Sequence, residues 1–424
     1  MTHVTLIAGT YQPKRCGVAH YTEHLRAALN ERGVQSVVIT TYDAAQTVCD
    51  SSVIGVLRDW SLPNLLPLVR SLQNIRTDIL HIQHAAGTYS FERGIFLLPL
   101  LLRMLGWRKP IVTTVHEYGW WEWQPSFIPP QMMEWLKTWG QRRGWWDRED
   151  GFLLTLSDAI VTTNSDAESV IYTRLPELRD RVYRIPIAAN VEVNPVAKDY
   201  ARQLLRQTCN WSNDVAVVVF FGFLHPVKGL ETLLTAFKQV VSVQPQARLL
   251  LIGGVESLAL VGEQATQYWD KLHKLVFELN LNEVVHFSGY LPADTASLYI
   301  AGADVGVLPF NCGVTVKSGS LLTLMAHGLP VVATFHNSNK SVPKTFGAII
   351  RLPELSLADE QIVQLVEPRD VNSLATALIE LLANPTRRIQ LGDAGCNFVR
   401  NFDWQAISKA HLEVYQTVVQ RQEV

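Results

Sequence analysis

Cysteine is scarce in this chain of 424 residues. Cys16, Cys49, Cys209, Cys312 and Cys396 are scattered, and no two form a C-x-x-C pair. That spacing gives no metal site and suits a reducing compartment. Long apolar runs are also missing. The longest, Gly94–Trp107, contains Pro99 and Arg103 and is too short to cross a bilayer. It reads as a buried helix, with a peripheral membrane contact left open. Neither sign of charge dominates: the formal net charge is −2, which removes the basic field that a nucleic-acid partner would need. No G-x-G-x-x-G follows the first strand-like run or Phe221, which argues against a nicotinamide or flavin enzyme. His116-Glu117 does not continue into a zinc-protease H-E-x-x-H, because the last position is Trp120. No paired-carboxylate motif points to a glycosidase. The opening residues, MTHVTLIAGTYQPK, run straight into a strand pattern without a basic leader. We therefore expect no signal peptide and a cytoplasmic location.

What the chain does have is apolar material. Hydrophobic residues make up 48% and charged residues 18%, enough for well-packed cores, and the length allows two domains. Short apolar runs alternate with helical patterns throughout. In the first half, strands are expected at Val4–Ala8, Ser36–Thr40, Ile79–Ile82, Ile111–Val115, Ala159–Thr163 and Val182–Ile185. Between the first two, Gly17–Arg32 places Val18, Tyr21, Leu25, Ala28 and Leu29 on one helical face, and Gly33 stops it. This βαβ pattern predicts a parallel sheet covered on both faces. Residues Ile187–Lys198 lack clear periodicity and read as a linker. The pattern then restarts, with strands expected at Val215–Phe221, Arg248–Ile252, Val284–Phe287, Val305–Leu308 and Val331–Ala333. Helices are expected near 229–243, 266–279, 294–302, 318–327, 372–383 and 404–420. Ligands on such sheets bind at the carboxyl ends of the strands.

The most informative stretch is 300–334, IAGADVGVLPFNCGVTVKSGSLLTLMAHGLPVVAT. A strand runs into a small polar loop that opens a helix at about Ser318. Ser318, Gly319 and Ser320 present backbone N–H groups and the positive end of a helix dipole, with Lys317 beside them. That is an anion site sized for a phosphate. A second stretch, Phe220-Phe221-Gly222-Phe223-Leu224-His225-Pro226-Val227-Lys228-Gly229, follows the first strand of the second half. Gly222 lets the backbone turn tightly beside a ligand. Lys228 sets a cation near a helix start, suited to a diphosphate leaving group.

The 300–334 stretch resembles the signature segment of the retaining nucleotide-sugar glycosyltransferases of the GT-B fold, in the large family 4. Residues 220–229 resemble that family's "G-R-L-x-x-x-K-G" segment, and the resemblance extends over nearly the whole chain. It implies an α/β protein of two Rossmann-like doubly wound parallel-sheet domains facing a central cleft. Residues 1–190 would be the acceptor-side domain and 191–403 the nucleotide-sugar donor domain, with a C-terminal helix, 404–424, packing back on the first. The implied activity moves a sugar from a nucleotide-diphosphate sugar to a glycan, lipid-linked or small-molecule acceptor, with retention of configuration. A sugar nucleotide already carries a good leaving group, so lysine and helix N-termini supply the charge and neither a metal nor another cofactor is expected.

Site residues follow from the same resemblance. Pro13-Lys14-Arg15-Cys16-Gly17-Val18 matches a glycine loop that approaches the donor phosphates, with Gly17 in that role and Lys14 and Arg15 either assisting or merely solvated. Thr113-Thr114-Val115-His116-Glu117 resembles the "T-x-H" segment, whose histidine lies near the donor sugar. A histidine there can bond a sugar hydroxyl or stabilise developing charge. His84 and Gly87 are placed on the acceptor side, and His81 in the core. Seven of the 12 tryptophans fall between Trp120 and Trp146. Trp120, Trp121 and Trp123 are acceptor-side candidates, since aromatic faces stack on sugar rings; packing and a membrane interface compete for the same residues. Met132, Trp135, Leu136 and Trp139 share a helical face. Gly289 and Tyr290, and the Gly253-Gly254 pair, would lie near the donor base and ribose.

Two departures stand out. The family usually carries two glutamates eight positions apart in the signature segment, the first contacting the donor sugar and the second the ribose. Thr315 and Thr323 stand there. The family's arginine after Gly222 is Phe223, so half of the cationic clamp is missing unless Lys317 substitutes. Threonine can still hydrogen-bond but brings no charge, and ribose recognition should weaken. A variant transferase holding its nucleotide mainly by phosphates and base, a different kind of donor, a non-catalytic partner of an active transferase and a sugar-nucleotide epimerase all remain open. Retention of Gly222, Lys228 and Ser318–Ser320 favours the first.

Overall fold

The computed structural model describes residues 2–12, 16–46, 48–119, 122, 128–258, 260–335 and 361–423. The chain divides into two compact units. Of the described residues, unit 1 holds those up to 187 and from 404 on, and unit 2 those between 188 and 403.

Unit 1 is built on seven parallel strands: β1 (His3–Ala8), β2 (Gln35–Thr41), β3 (Val53–Leu57), β4 (Ile79–His84), β5 (Ile111–Val115), β6 (Ala159–Thr162) and β7 (Val182–Arg184), in the order β3-β2-β1-β4-β5-β6-β7. Their central members are buried end to end, as in a sheet covered on both faces, though β4 carries His81, Gln83 and His84. The helix Gly17–Glu31 ends where Gly33 takes φ +80° and its N–H bonds the Asn30 carbonyl, while Val34 N–H bonds that of Leu29. Only glycine adopts that conformation at no cost, so the chain reverses here into β2. One sheet face packs Leu68, Leu72, Leu80, Ile82, Tyr89, Phe96 and Leu102 into a closed core. Each such side chain contributes about 1.5–3 kcal/mol on burial. The apolar run at 94–107 lies in this core as a 3₁₀ turn, Gly94–Leu97, and the helix Leu98–Met104.

Unit 1 is completed by the last helix, Trp404–Glu423, which packs against Gly17–Glu31. Arg32 ties it down, donating from Nε to Ser408 (2.8 Å) and from Nη2 to the Gln405 carbonyl (2.7 Å).

Unit 2 has six parallel strands: β8 (Ala216–Phe221), β9 (Ala247–Ile252), β10 (Val285–Gly289), β11 (Val305–Leu308), β12 (Val331–Thr334) and β13 (Gln364–Val366), in the order β10-β9-β8-β11-β12-β13. This is the doubly wound order of a nucleotide-binding sheet, and its direction of winding reverses between β8 and β11. The segment read as a linker is anchored on this unit: Asn190 N–H bonds the Thr323 hydroxyl (3.1 Å) and Asn194 N–H that of Ser297 (2.8 Å). Helix Lys198–Thr208 follows. Its buried Arg206 bonds the carbonyls of Val215 and Gly302 and the carboxylate of Asp304.

Several elements were not anticipated. β3 and β13 are sheet-end strands of five and three residues. Helices Leu65–Asn74, Lys198–Thr208 and Pro385–Val399 were also unforeseen. Helix Pro130–Gln141 turns its aromatic face outward. Met132 and Trp135 are exposed, and the buried face is Met133, Lys137 and Gly140. Lys137 reaches Glu122 there (3.3 Å).

Candidate functional site

In unit 2 the winding reverses between β8 and β11, and a parallel sheet opens a crevice at such a point. The loop after β8 and the loop after β11 lie against each other there. Asn311 N–H bonds the Val227 carbonyl (3.0 Å), and Asn311 Nδ2 bonds that of Pro226 (2.9 Å). Gly229, at φ +68°, fits so closely that an added Cβ would lie 2.0 Å from the Pro309 carbonyl oxygen.

Lys228 is carried on a 3₁₀ turn, Pro226–Lys228, whose start is capped by His225 accepting from Val227 N–H. The ammonium sits 3.7 Å from the centroid of the Phe310 ring, on the β11 side. No carboxylate pairs with it among the described residues. Burial alone pushes its pKa down from 10.5 to about 8. A partly desolvated cation without a counter-charge favours an incoming anion.

Facing this loop is the start of helix Gly319–Ala326. Ser318 is its N-cap, accepting from Leu321 N–H (3.4 Å). The Gly319 and Ser320 amides carry no hydrogen bond among the described residues. Ser320 Oγ would lie 2.8 Å from a Cβ added at Gly222, which has φ +142°. The structure thus brings Gly222, Lys228 and Ser318–Ser320 to one corner of unit 2. Lys317 is exposed at the same turn, and Phe223, in the arginine's place, is half-buried beside it in sequence with Gly222.

Thr315 is half-buried and its carbonyl accepts from Ser318 N–H (2.9 Å), closing the turn into the helix. Thr323 needs a correction. It is fully buried, and its hydroxyl is occupied by Asn190 N–H, so it lines no surface for a ribose. Asn190 also fills the space beside Gly319, where an added Cβ would be 2.2 Å from its Nδ2. The glycine and the threonine, one helical turn apart, make room for this residue. Gly289 (φ +65°) ends β10, and its carbonyl accepts from Gly253 N–H (3.0 Å); Tyr290 beside it is exposed.

In unit 1, His116 follows β5 and His81 and Gln83 lie on β4. Residues two apart on a strand share a face. Hence His81, Gln83, Thr114 and His116 line the face covered by helices Gly17–Glu31 and Trp404–Glu423. His116 is half-buried, its ring edge-on to Tyr21 (centroids 4.7 Å apart), and Nε2 lies 3.0 Å from Gln83 Oε1. Burial, then the neighbouring His84 and His411, push its pKa down to about 3, so it is neutral at pH 7. His81 is fully buried between Thr114 and Tyr415.

His84 points to the opposite face. It is 1% exposed, bonded through Nε2 to Asp150 (3.1 Å) and stacked on Tyr89, which is the setting of an interior residue and corrects its placement on an open acceptor side. Gly87 is half-buried in the 3₁₀ turn after β4. Gly17 begins its helix in open surroundings, where an added Cβ would meet nothing within 4 Å. Lys14, Arg15, Trp120, Trp121 and Trp123 lie outside the described residues. Among the described residues no group of three or more His, Cys, Asp or Glu side chains could hold a metal ion, and no helix is long and apolar enough to cross a membrane.

A sequence model described as "Glycosyl transferases group 1" matches residues 215–384, and one described as "Glycosyltransferase Family 4" matches residues 16–193. The chain belongs to the family 4, group 1 glycosyltransferases. A GDP-mannose-dependent alpha-(1-6)-phosphatidylinositol monomannoside mannosyltransferase of Mycolicibacterium smegmatis is 24% identical over 417 residues, covering 94% of each chain. A D-inositol 3-phosphate glycosyltransferase of Corynebacterium aurimucosum is 25% identical over 268 residues, 62% of this chain and 58% of that one. The chain spans about half the length of several of the curated relatives it matches. Among solved structures, the sucrose-phosphate synthase of Thermosynechococcus elongatus is similar at TM-score 0.66, with 20% identity over 99% of this chain and all of that one. Anabaena HepE, in complex with UDP and glucose, is similar at TM-score 0.67, with 16% identity over 98% of this chain and all of that one. These likenesses establish the GT-B fold for the family 4 chain.

Proposed function

We propose that this family 4 chain transfers a sugar from a nucleoside-diphosphate sugar to a glycan, lipid-linked or small-molecule acceptor, with retention and without a metal. The observation that carries this reading is Lys228, a partly desolvated ammonium placed at the sheet's switch point beside the amides of Gly319 and Ser320; among the described residues it has no carboxylate partner and the amides carry no bond. These groups fit a diphosphate. In the reaction, the bond from the anomeric carbon to the diphosphate oxygen breaks and the acceptor oxygen bonds that carbon. The departing phosphate oxygen takes the acceptor's proton. Lys228 and the helix N-terminus stabilise the charge that develops on the leaving group. His116 of unit 1 is neutral, so what it offers a ligand is a hydrogen bond rather than a positive charge.

With Thr323 interior, ribose recognition by a carboxylate at that position is absent, and base and phosphates carry the nucleotide's affinity. Relatives named for GDP-mannose make a GDP-sugar the first donor to try. The cytoplasm or its membrane face, where nucleotide sugars and lipid-linked acceptors meet, is the corresponding location. Titration calorimetry with GDP, UDP, ADP and dTDP in metal-free buffer tests the donor site. Saturable binding of one diphosphate is expected; no binding of any would overturn the proposal and leave the non-catalytic partner reading.

A further inference from the structure

Gly319 opens its helix with an ordinary helical backbone, so its lack of a side chain answers a neighbour rather than a conformation. That neighbour is Asn190. A Cβ added at Gly319 would lie 2.2 Å from Asn190 Nδ2, 2.6 Å from its Cγ and 2.7 Å from its Oδ1. Three carboxamide atoms at such similar distances mean that the group lies flat over the glycine. The backbone of Asn190 is held one turn further along the same helix, where its N–H bonds the buried Thr323 hydroxyl (3.1 Å). From Thr323 back to Gly319 is about 6 Å along the axis, at about 1.5 Å per residue. The asparagine side chain therefore runs along the helix toward its N-terminus. Asn190, Gly319 and Thr323 all belong to unit 2.

The anion site lies at that end. Among the described residues the Gly319 and Ser320 amides carry no hydrogen bond. Ser320 Oγ would lie 2.8 Å from a Cβ added at Gly222, which sets the loop of Lys228 against the same helix start. A diphosphate has more terminal oxygens than one ammonium and two amides can satisfy. A carboxamide brings two further N–H donors and no charge, and Asn190 is half-buried rather than sealed. A bond from such a donor to an anion is charge-assisted.

We propose that the Asn190 carboxamide donates a hydrogen bond to the diphosphate held at this helix start, beside Lys228 and the Gly319 and Ser320 amides. The inference rests on the transferase reading above and adds a binding residue to its donor site. It also gives the two small residues of the helix a shared purpose. Thr323 anchors the Asn190 backbone, and Gly319 leaves room for the carboxamide. Charge grows on the diphosphate as the sugar departs, so the bond strengthens along the reaction.

The test is calorimetric titration of the full chain with inorganic pyrophosphate and with whichever of GDP, UDP, ADP and dTDP the wild type binds. Asn190→Ala removes the carboxamide and keeps the backbone N–H that Thr323 receives. It should weaken both ligands about tenfold, the loss of one hydrogen bond to a charged group. Asn190→Asp keeps the shape, and a carboxylate beside a helix N-terminus is favourable to the fold. It should weaken both ligands about 100-fold or more, because like charges then face each other. If Asn190→Asp binds the nucleotide as well as wild type or better, the proposal is overturned, since a carboxylate there would be serving the ribose. Unchanged affinity in Asn190→Ala overturns it too. Gly319→Ala should push the carboxamide aside and lower affinity by itself, yet cost nothing further in an Asn190→Ala background. Additive losses would overturn the placement on which the proposal stands. A wild type that binds a nucleoside diphosphate while the Asn190 variants match it refutes the Asn190 contact alone. A wild type that binds pyrophosphate but no nucleoside diphosphate refutes the transferase reading, and the pyrophosphate titrations of the variants still decide the contact. A wild type that binds neither overturns both.

Discussion

Replacing Lys228 with methionine should separate binding from stability. The side chain lies over Phe310 and pairs with no carboxylate among the described residues. Burial lowers its pKa from 10.5 to about 8. At about 1.36 kcal/mol per unit, holding it charged costs the folded apo protein at most on the order of 3 kcal/mol, less where solvent reaches it. The contact with Phe310 offsets about 0.5–2 kcal/mol of that. Methionine removes both, so Lys228→Met should be at least as stable as wild type at pH 7. A charge-assisted hydrogen bond to a phosphate contributes about 1.5–3 kcal/mol, so diphosphate affinity should fall about 10- to 150-fold. The pH dependence has a definite sign. The folded pKa is below the unfolded one, so between about pH 8 and 10.5 the unfolded chain holds more protons. The penalty is therefore full below about pH 8 and is relieved as pH rises, and wild-type stability gains over that window. Lys228→Met should lack the gain. Over the same window wild-type diphosphate affinity should decline as the ammonium loses its proton. Calorimetric titration at pH 7 and pH 9.5, paired with thermal melts, reads all of this. Unchanged affinity, or a variant that melts well below wild type, would refute the reasoning.

Two further substitutions test the frame that holds this corner. Thr323→Val removes the acceptor of the half-buried Asn190 N–H and should cost about 0.5–1.5 kcal/mol in urea unfolding; an unchanged midpoint would show that the amide finds water instead. Arg206→Met leaves the Asp304 carboxylate and two carbonyls without their buried partner and should cost about 3–5 kcal/mol, read as a lower melting temperature. Asp304 also pairs with Arg202 and accepts from Val217 N–H, so a wild-type melt would mean that these two satisfy it.

Much of the fold was legible because parallel strands covered on both faces are rich in apolar and β-branched residues. Ile111–Val115 and Val305–Leu308 occupy the bounds read from their sequences. Two sheet-end strands, Val53–Leu57 and Gln364–Val366, escaped this reading, while Val182–Arg184, as short as the latter, did not. Helix Lys198–Thr208 is mostly polar and shows no clear apolar face in the sequence beyond the linker. At the site, glycines and a lysine at turns between strand and helix were visible because those turns restrict residue type. What sequence could not show was direction and pairing. Thr323 was placed by alignment with a glutamate, but a side chain's face on a helix depends on what packs there, and here it is Asn190. His84 and His81 sit three residues apart on one strand and so point to opposite faces; strand alternation joins His81 to Gln83, and only the register with β5 brings Thr114 to them. The exposed tryptophan face of Pro130–Gln141 has the same origin, since apolar spacing marks a face without saying what covers it.

Product analysis tests the central claim most directly. The protein would be incubated with GDP-mannose or UDP-glucose, alone and with a panel of polyol and glycan acceptors, and the products followed by NMR. The account predicts release of a nucleoside diphosphate only when an acceptor is present, and an α-linked product from the α-configured donor. Conversion of the donor without any acceptor would point to an epimerase, and a β-linked product or an inert mixture would contradict the retaining transferase.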